Sequence, residues 1–254
     1  GSIYNIEGNG FRYNGSDNLL FEAGIMMGRS YLQFSSSVRD SNGLYAPSDF
    51  GPVQSLGLEW VDFDNSVHNL ARMVDDNSEV AIPLTVSQET VDYSDNETDG
   101  VVLMKYHLVN TSLEPLGNIS FGFLADFDLP GSFEQVAYDS SLGLISQAGE
   151  SGPQVGIVGL KNITAFRSMA NGAKKTGFTR EEQYNLITAG SQVDSSPVGD
   201  VMFVISAGPF DLGPRDSVEV TFAIVAGDTR DQLYSQAVRA IERYSMPTGI
   251  YEPF

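Results

Sequence analysis

The sequence predicts an all-β chain with two short helices, built as a large, many-stranded antiparallel β-sandwich. Three observations lead there. Apolar and polar residues alternate with period two through several segments, the repeat of a strand that turns one face to a core. These segments are short, closely spaced and bounded by turn residues, with 26 Gly and 11 Pro spread over 254 residues. Two helices, each opened by a capping box, interrupt the strand pattern.

The elements follow in order. Residues 19–27, after the turn-rich Asn14-Gly-Ser-Asp-Asn18, read as a strand, and residues 30–38 as its hairpin partner across Gly28-Arg29. Residues 55–63 and 80–86 are further strands, with Pro83 placing the second at an edge or a bulge because proline lacks the ladder N–H. Residues 101–109 set Val102, Met104, Tyr106 and Leu108 on one face and Lys105 and His107 on the other. A turn at Asn110-Thr-Ser112 leads to residues 119–129, which read as a half-buried strand. Its odd positions are Ile119, Phe121, Phe123, Ala125, Phe127 and Leu129, and its even positions are Ser120, Gly122, Leu124, Asp126 and Asp128. Later strands include 154–160, 201–206 and 218–225. Thr179-Arg-Glu-Glu182 is a capping box with Gly190 as its stop signal. Thr229-Arg-Asp-Gln232 is a second, followed by Leu233, Ala237, Ile241 and Tyr244 at helical spacing. No repeat or compositional break divides the chain, so the expectation is one domain over residues 1–244, with 245–254 as a tail or linker. Gly1-Ser2 reads equally as native sequence or as an expression scar.

The net charge of −19, from 33 acidic and 14 basic residues, disfavours nucleic acid and anionic membranes, whose binding depends on Lys and Arg. It favours divalent cations and also serves solubility alone. The absence of cysteine excludes disulfides, thiolate nucleophiles and Cys-based metal sites. No apolar run approaches the roughly 18 residues of a membrane span. No charged-then-apolar leader opens the sequence, so a signal peptide is expected to be absent or already removed.

Asp126 and Asp128 are the leading candidate site. Two carboxylates at i and i+2 share a strand face roughly 7 Å apart and repel unless a cation, a proton or a donor network lies between them. Asp139, and Glu134 in the same connection, would join them if the chain folds back after Pro130-Gly131, giving hard oxygen ligands of the kind Ca²⁺ takes. The competing reading is an Asp pair that caps turns through Asx hydrogen bonds. The same pair can also be read as the acid and base of a glycosidase, but the aromatic cleft residues of such an enzyme are sparse. Trp60, the single tryptophan, shares an acidic alternation with Asp62 and Asp64 near His68 and is a candidate ligand contact by sugar stacking, although a lone Trp is commonly core. Asp92, Asp95, Glu97 and Asp99 read as a solvated loop.

Catalytic vocabulary is thin. The two histidines are His68 and His107, and no Gly-x-Ser-x-Gly elbow, His-Glu-x-x-His or phosphate-cradling loop is present. A Ser–His–Asp triad assembled from distant residues stays open. A lyase pairing His107 with a Tyr is conceivable, but such an enzyme neutralises an acidic sugar with cations, and the net charge of −19 argues against it.

The segments Phe178-Thr-Arg-Glu-Glu-Gln-Tyr-Asn-Leu-Ile-Thr-Ala-Gly190, Asp200-Val-Met-Phe-Val-Ile-Ser-Ala-Gly-Pro-Phe-Asp-Leu212 and Asp216-Ser-Val-Glu-Val-Thr-Phe-Ala-Ile-Val-Ala-Gly227, with Asn18–Gly28 and the Asp126-Phe-Asp128 strand, resemble a β-rich accessory region of large secreted bacterial proteins. Such regions often lie downstream of subtilisin-like peptidase domains. The resemblance implies an extracellular or cell-surface, non-catalytic sandwich whose partners are other domains of its polypeptide or a polysaccharide or protein surface ligand. It transfers no catalytic residue, and the peptidase signatures Gly-Thr-Ser-Met-Ala and His-Gly-Thr are missing here. The expected function is therefore a secreted accessory or binding domain, with Ca²⁺ at Asp126, Asp128 and Asp139. The alternative is a carbohydrate-active domain: a binding module, a glycoside hydrolase or a polysaccharide lyase.

Overall fold

A computed structural model describes residues 3–4, 10–41, 48–61, 66–93, 100–173, 177–195 and 199–245, with backbone alone for 3–4, 54–56, 58–61 and 173. The expectations for Gly1, Ser2, Asp62, Asp64, Asp95, Glu97, Asp99 and residues 246–254 fall outside these.

The strands are β1 (Ile3–Tyr4), β2 (Leu20–Ser30), β3 (Gln33–Ser36), β4 (Gly51–Val61), β5 (Ser66–Val74), β6 (Leu84–Tyr93), β7 (Val101–Asn110), β8 (Leu116–Phe127), β9 (Glu134–Asp139), β10 (Leu144–Gly149), β11 (Gln154–Lys161), β12 (Ile163–Ala170), β13 (Val201–Leu212) and β14 (Ser217–Gly227). Helix α1 spans Arg180–Thr188 and α2 spans Arg230–Ser245. One sheet has the order β1-β2-β8-β13-β12 with β3 beside β2. The other has eight strands in the order β4-β5-β6-β7-β14-β11-β10-β9. Every pairing between these strands is antiparallel, as the alternation predicted.

Between the sheets, the odd face of β8 meets the even faces of β7 and β14. Phe121 packs on Tyr106 with ring centroids 5.0 Å apart, and Phe123 packs on Phe222 at 4.8 Å. Each of these rings is buried, and complete burial of one such side chain stabilises the fold by about 1.5–3 kcal/mol.

The helices close the outer faces. α2 lays Leu233, Ala237 and Ala240 on Leu103, Ala223 and Val225 of the eight-stranded sheet. α1 sets Ile187 against Leu124, Met202 and Val204 of the other sheet. Its capping box forms as the sequence predicts: Glu182 N–H donates to Thr179 Oγ1, and Thr179 N–H donates to Glu182. Gly122 permits this docking, because a Cβ there would stand 2.2 Å from Ile187 Cγ2.

This layer corrects the half-buried reading of residues 119–129, since every residue of β8 from Ile119 to Phe127 is buried. Period two reports that the two faces differ, and a helix covering the second face leaves the period intact. The hairpin is also displaced from its expected turn. β2 runs on through Arg29, whose Nε donates to Gly117 O, and the chain reverses at Tyr31-Leu32, where Gln33 N–H donates to Ser30 Oγ. Pro83 stands just before β6, outside the ladder its missing N–H would interrupt. Asp92, expected in a loop, lies in β6 opposite Val102 of β7.

Candidate functional site

Two constellations of ionisable side chains are built on the outer faces of the two sheets. The first begins with Glu22 on β2 and Asp126 on β8, which oppose each other directly in register. Both carboxylates point away from the inter-sheet core, under the segment that follows β3. That segment delivers Arg39 between them. Its Nε bonds Glu22 Oε2 and its Nη2 bonds Asp126 Oδ2, while its backbone N–H donates to Glu22 Oε1 at 2.6 Å. Arg39 Nη1 donates to Asn171 Oδ1 (3.1 Å), and Asn171 Nδ2 donates to Asp126 Oδ2 (2.9 Å). From α1, Gln183 Nε2 donates to the Arg39 carbonyl at 3.0 Å. None of the five residues exceeds 4% exposure. Burial pushes the Asp126 carboxyl up to about 7, against the attraction of Arg39 and with further repulsion from Asp128 and Asp200. Burial likewise raises Glu22 above its ordinary value despite the Arg39 charge beside it.

One residue past β8, the chain reaches the molecular surface. Asp128 is exposed, and its backbone N–H donates to Leu19 O at 3.0 Å. β13 pairs with β8 so that Phe203 opposes Ala125, and the same register continued past the strand ends sets Asp200 beside Asp128. Asn171 N–H holds the Asp200 carbonyl at 2.9 Å. Glu134 clips the two strand ends together, with Oε1 accepting from Leu129 N–H (2.8 Å) and Oε2 from Val201 N–H (3.1 Å). Burial raises its carboxyl above the usual range in spite of those bonds. Carboxylate oxygens of Asp126, Asp128 and Asp200 lie within 4.8 Å of one another.

The fold-back expected after Pro130-Gly131 does occur, with Gly131 at φ +122°, and it brings in Glu134. Asp139 does not join the cluster. It lies at the far end of β9, about 17 Å of strand beyond Glu134, and accepts from Ser141 N–H (2.9 Å) and Ser141 Oγ (2.6 Å) in an Asx turn. These bonds hold its carboxyl below the ordinary value. Asp200, which the sequence reading passed over, takes the third position. The signal for it was the acidic residue immediately before the strand at 201, and only strand pairing shows which neighbour that residue meets.

The second constellation crosses the outer face of the eight-stranded sheet. On β5 and β6, Ser66 Oγ lies 2.8 Å from His68 Nε2, His68 Nδ1 lies 2.5 Å from Glu89 Oε1, and Lys105 Nζ on β7 lies 3.5 Å from Glu89 Oε2. On β7 and β14, His107 Nε2 is 3.9 Å from Glu219 Oε2, which Lys161 approaches to 3.3 Å. Glu219 Oε1 accepts from Thr221 Oγ1 (2.8 Å) and from Tyr244 OH (3.0 Å) at the end of α2. Burial works against ionisation of Glu219, yet the bonds from Thr221 and Tyr244 and the Lys161 charge hold its carboxyl below the ordinary range. Burial and the same carboxylate push Tyr244 up to about 12. Both histidines are thus half-buried and paired with glutamates. Ser66 is fully buried, so the Ser66–His68–Glu89 line has the order of a nucleophilic triad without an accessible hydroxyl. The backbone of Trp60 lies in β4 opposite Val67, and its side chain falls outside the described atoms.

No family model matches the chain, and no curated protein matches it. Among solved structures, heparan sulfate lyase HepC from Pedobacter heparinus is similar with a TM-score of 0.40 and 8% identity over 71% of this chain. The chain spans 22% of that lyase's length. The Slr1438 protein from Synechocystis sp. PCC 6803 is similar with a TM-score of 0.40 and 6% identity, over 68% of this chain and 66% of that one. A Klebsiella pneumoniae protein named provisionally as an aldose 1-epimerase has a TM-score of 0.41 and 9% identity, over 74% and 58%. At such scores these likenesses assign neither a family nor an activity. Among the described residues, no helix is long and apolar enough to cross a membrane.

Proposed function

We propose that this chain is a non-catalytic accessory domain of a larger secreted bacterial protein, a rigid sandwich that binds or positions other parts of its polypeptide or a surface ligand. The observation that supports this reading is the burial of its most extensive charged network on the outer face of a sheet. A catalytic acid or base must come within hydrogen-bond reach of a substrate. Glu22, Arg39, Asp126, Asn171 and Gln183 instead bind one another beneath α1 and the segment after β3, and their chemistry is consumed in locking three layers together. The test is a substrate screen of the purified chain on peptides, esters and glycosides, run beside His68→Ala and His107→Ala. The reading expects no turnover that either substitution removes. Turnover abolished by one of them overturns it.

A second reading, a carbohydrate-active domain, draws on the two imidazole–carboxylate pairs on the eight-stranded sheet, because His107, Glu219 and Tyr244 together offer a base, a carboxylate and a phenol on one face. A glycan array combined with a lyase and hydrolase screen tests it. Binding or turnover lost in both His107→Ala and Tyr244→Phe would favour this reading over the first.

A further inference from the structure

We infer that Asp126, Asp128 and Asp200 form a calcium site at the pole of the sandwich where β8 ends and β13 begins. The inference stands apart from the accessory-domain reading, since it concerns an ion and not a partner.

The first support is geometric. Two oxygens bound to one Ca²⁺ at 2.3–2.6 Å are at most about 5 Å apart. The three carboxylates meet that condition, with oxygens within 4.8 Å of one another. Waters and backbone carbonyls complete the six to eight oxygens that the ion takes.

The second support is independent of the acidic cluster as such. Asp126 is fully buried, and its Oδ2 is occupied by Arg39 and Asn171, yet among the described residues its Oδ1 has no hydrogen-bond partner. Oδ1 of Asp200 is likewise buried and without a hydrogen-bond partner among the described residues. A buried acceptor left unsatisfied costs about 1–3 kcal/mol, and more when charged. Both orphaned oxygens belong to the carboxylates that converge. A hard cation between them satisfies both at once.

The third support is preorganisation. Arg39 and Asn171 fix the Asp126 carboxylate, the Asp128 N–H bond to Leu19 holds the backbone that carries the second, and the Asn171 bond to the Asp200 carbonyl with the Glu134 clip holds the backbone that carries the third. Arg39 is the charged donor bound to Asp126, and it is shared with Glu22. The surrounding carboxylates of Asp128, Asp200 and Glu134 therefore outweigh it.

The experiment is calorimetric titration of CaCl₂ into the EDTA-stripped chain, with thermal melts in Ca²⁺, in Mg²⁺ and in EDTA. One ion is expected per chain, with a rise of several degrees in melting temperature in Ca²⁺ and a smaller one in Mg²⁺, which demands shorter bonds and tighter octahedral geometry. Asp128→Asn and Asp200→Asn leave the Arg39 network in place. Each should weaken Ca²⁺ at least tenfold, while its melting point in EDTA equals or exceeds that of the parent because a repulsive charge is gone. Asp139→Asn should bind as the parent does. The inference is overturned by absence of Ca²⁺ binding in the parent, by parental binding in both variants, by loss of binding in Asp139→Asn alone, or by a response to Mg²⁺ as large as that to Ca²⁺.

Discussion

The Arg39 network and the histidine–glutamate row use the same ingredients, carboxylates paired with cationic groups on strands, but one is sealed and the other half-open. Arg39, Glu22 and Asp126 are essentially without solvent, whereas the side chains of His68, Lys105, His107, Glu89 and Glu219 keep 14–33% exposure. Burial decides what each pair is worth. In the sealed network the cost of desolvation is already incurred, so loss of one partner strands a charge in the interior. In the half-open row, water can replace a lost partner.

The sharpest way to break this comparison is to delete a charge from each side. Arg39→Met should cost about 3–5 kcal/mol, because Glu22 and Asp126 would be left buried and unpaired. Urea denaturation measures it, and a loss below about 1 kcal/mol would place the two constellations in the same class. Asn171→Ala should cost somewhat less, about 1–3 kcal/mol, since it removes a donor to Asp126 and a partner of Arg39 while leaving the central ion pair.

Titration should separate the two sites by the sign of their pH dependence. Asp126 has an ordinary value of 3.8 and a folded value near 7, so between these the folded state retains a proton that the unfolded state has released. In EDTA, its contribution to stability should therefore fall as pH rises through that window, and Asp126→Asn should flatten the slope. Glu219 runs the other way. Its folded value lies below the ordinary 4.5, so the stability it lends is present above that pH and lost as pH falls through the folded value. Glu219→Gln should remove that acid-sensitive part of the melting curve. Slopes of the same sign for both residues would contradict the assignment of opposite environments.

The smallest effect is expected at Lys105. Its ion pair to Glu89 at 3.5 Å is partly solvated, and Lys105→Met should shift stability by no more than about 1 kcal/mol.

What could be read in the sequence was the local part of this molecule. The alternation of β7, β8 and β14 and the capping box at Thr179 and Glu182 are properties of neighbouring residues, and they survive folding unchanged. Arg39 gave no warning of its role. Its partners Glu22, Asp126 and Asn171 come from remote segments, and nothing in Val38-Arg39-Asp40 distinguishes a sealed arginine from a solvated one. The acidic cluster was legible by half. Asp126 and Asp128 share a strand end, but proximity along the chain pointed to Asp139, which β9 carries away, while Asp200 arrives through the pairing of β13 with β8. β5 was missed because the apolar residues of Ser66–Val74 (Val67, Leu70, Ala71, Met73 and Val74) do not alternate, and the strand is only partly buried along most of its length.

The strand order also has a consequence for assembly of the fold. β4, β5, β6 and β7 pair each with the next, so this half of the eight-stranded sheet can close as soon as it is made. The other sheet cannot. Ala23 waits for Ala125, and Ala125 waits for Phe203, before its centre exists. Non-local pairing of this kind slows folding and leaves apolar edges unpaired in the meantime. Arg39, held between the first and second of those partners and roofed by α1, loses its water only once β2 and β8 have paired and that helix has docked, so its desolvation waits on contacts between segments remote in the chain.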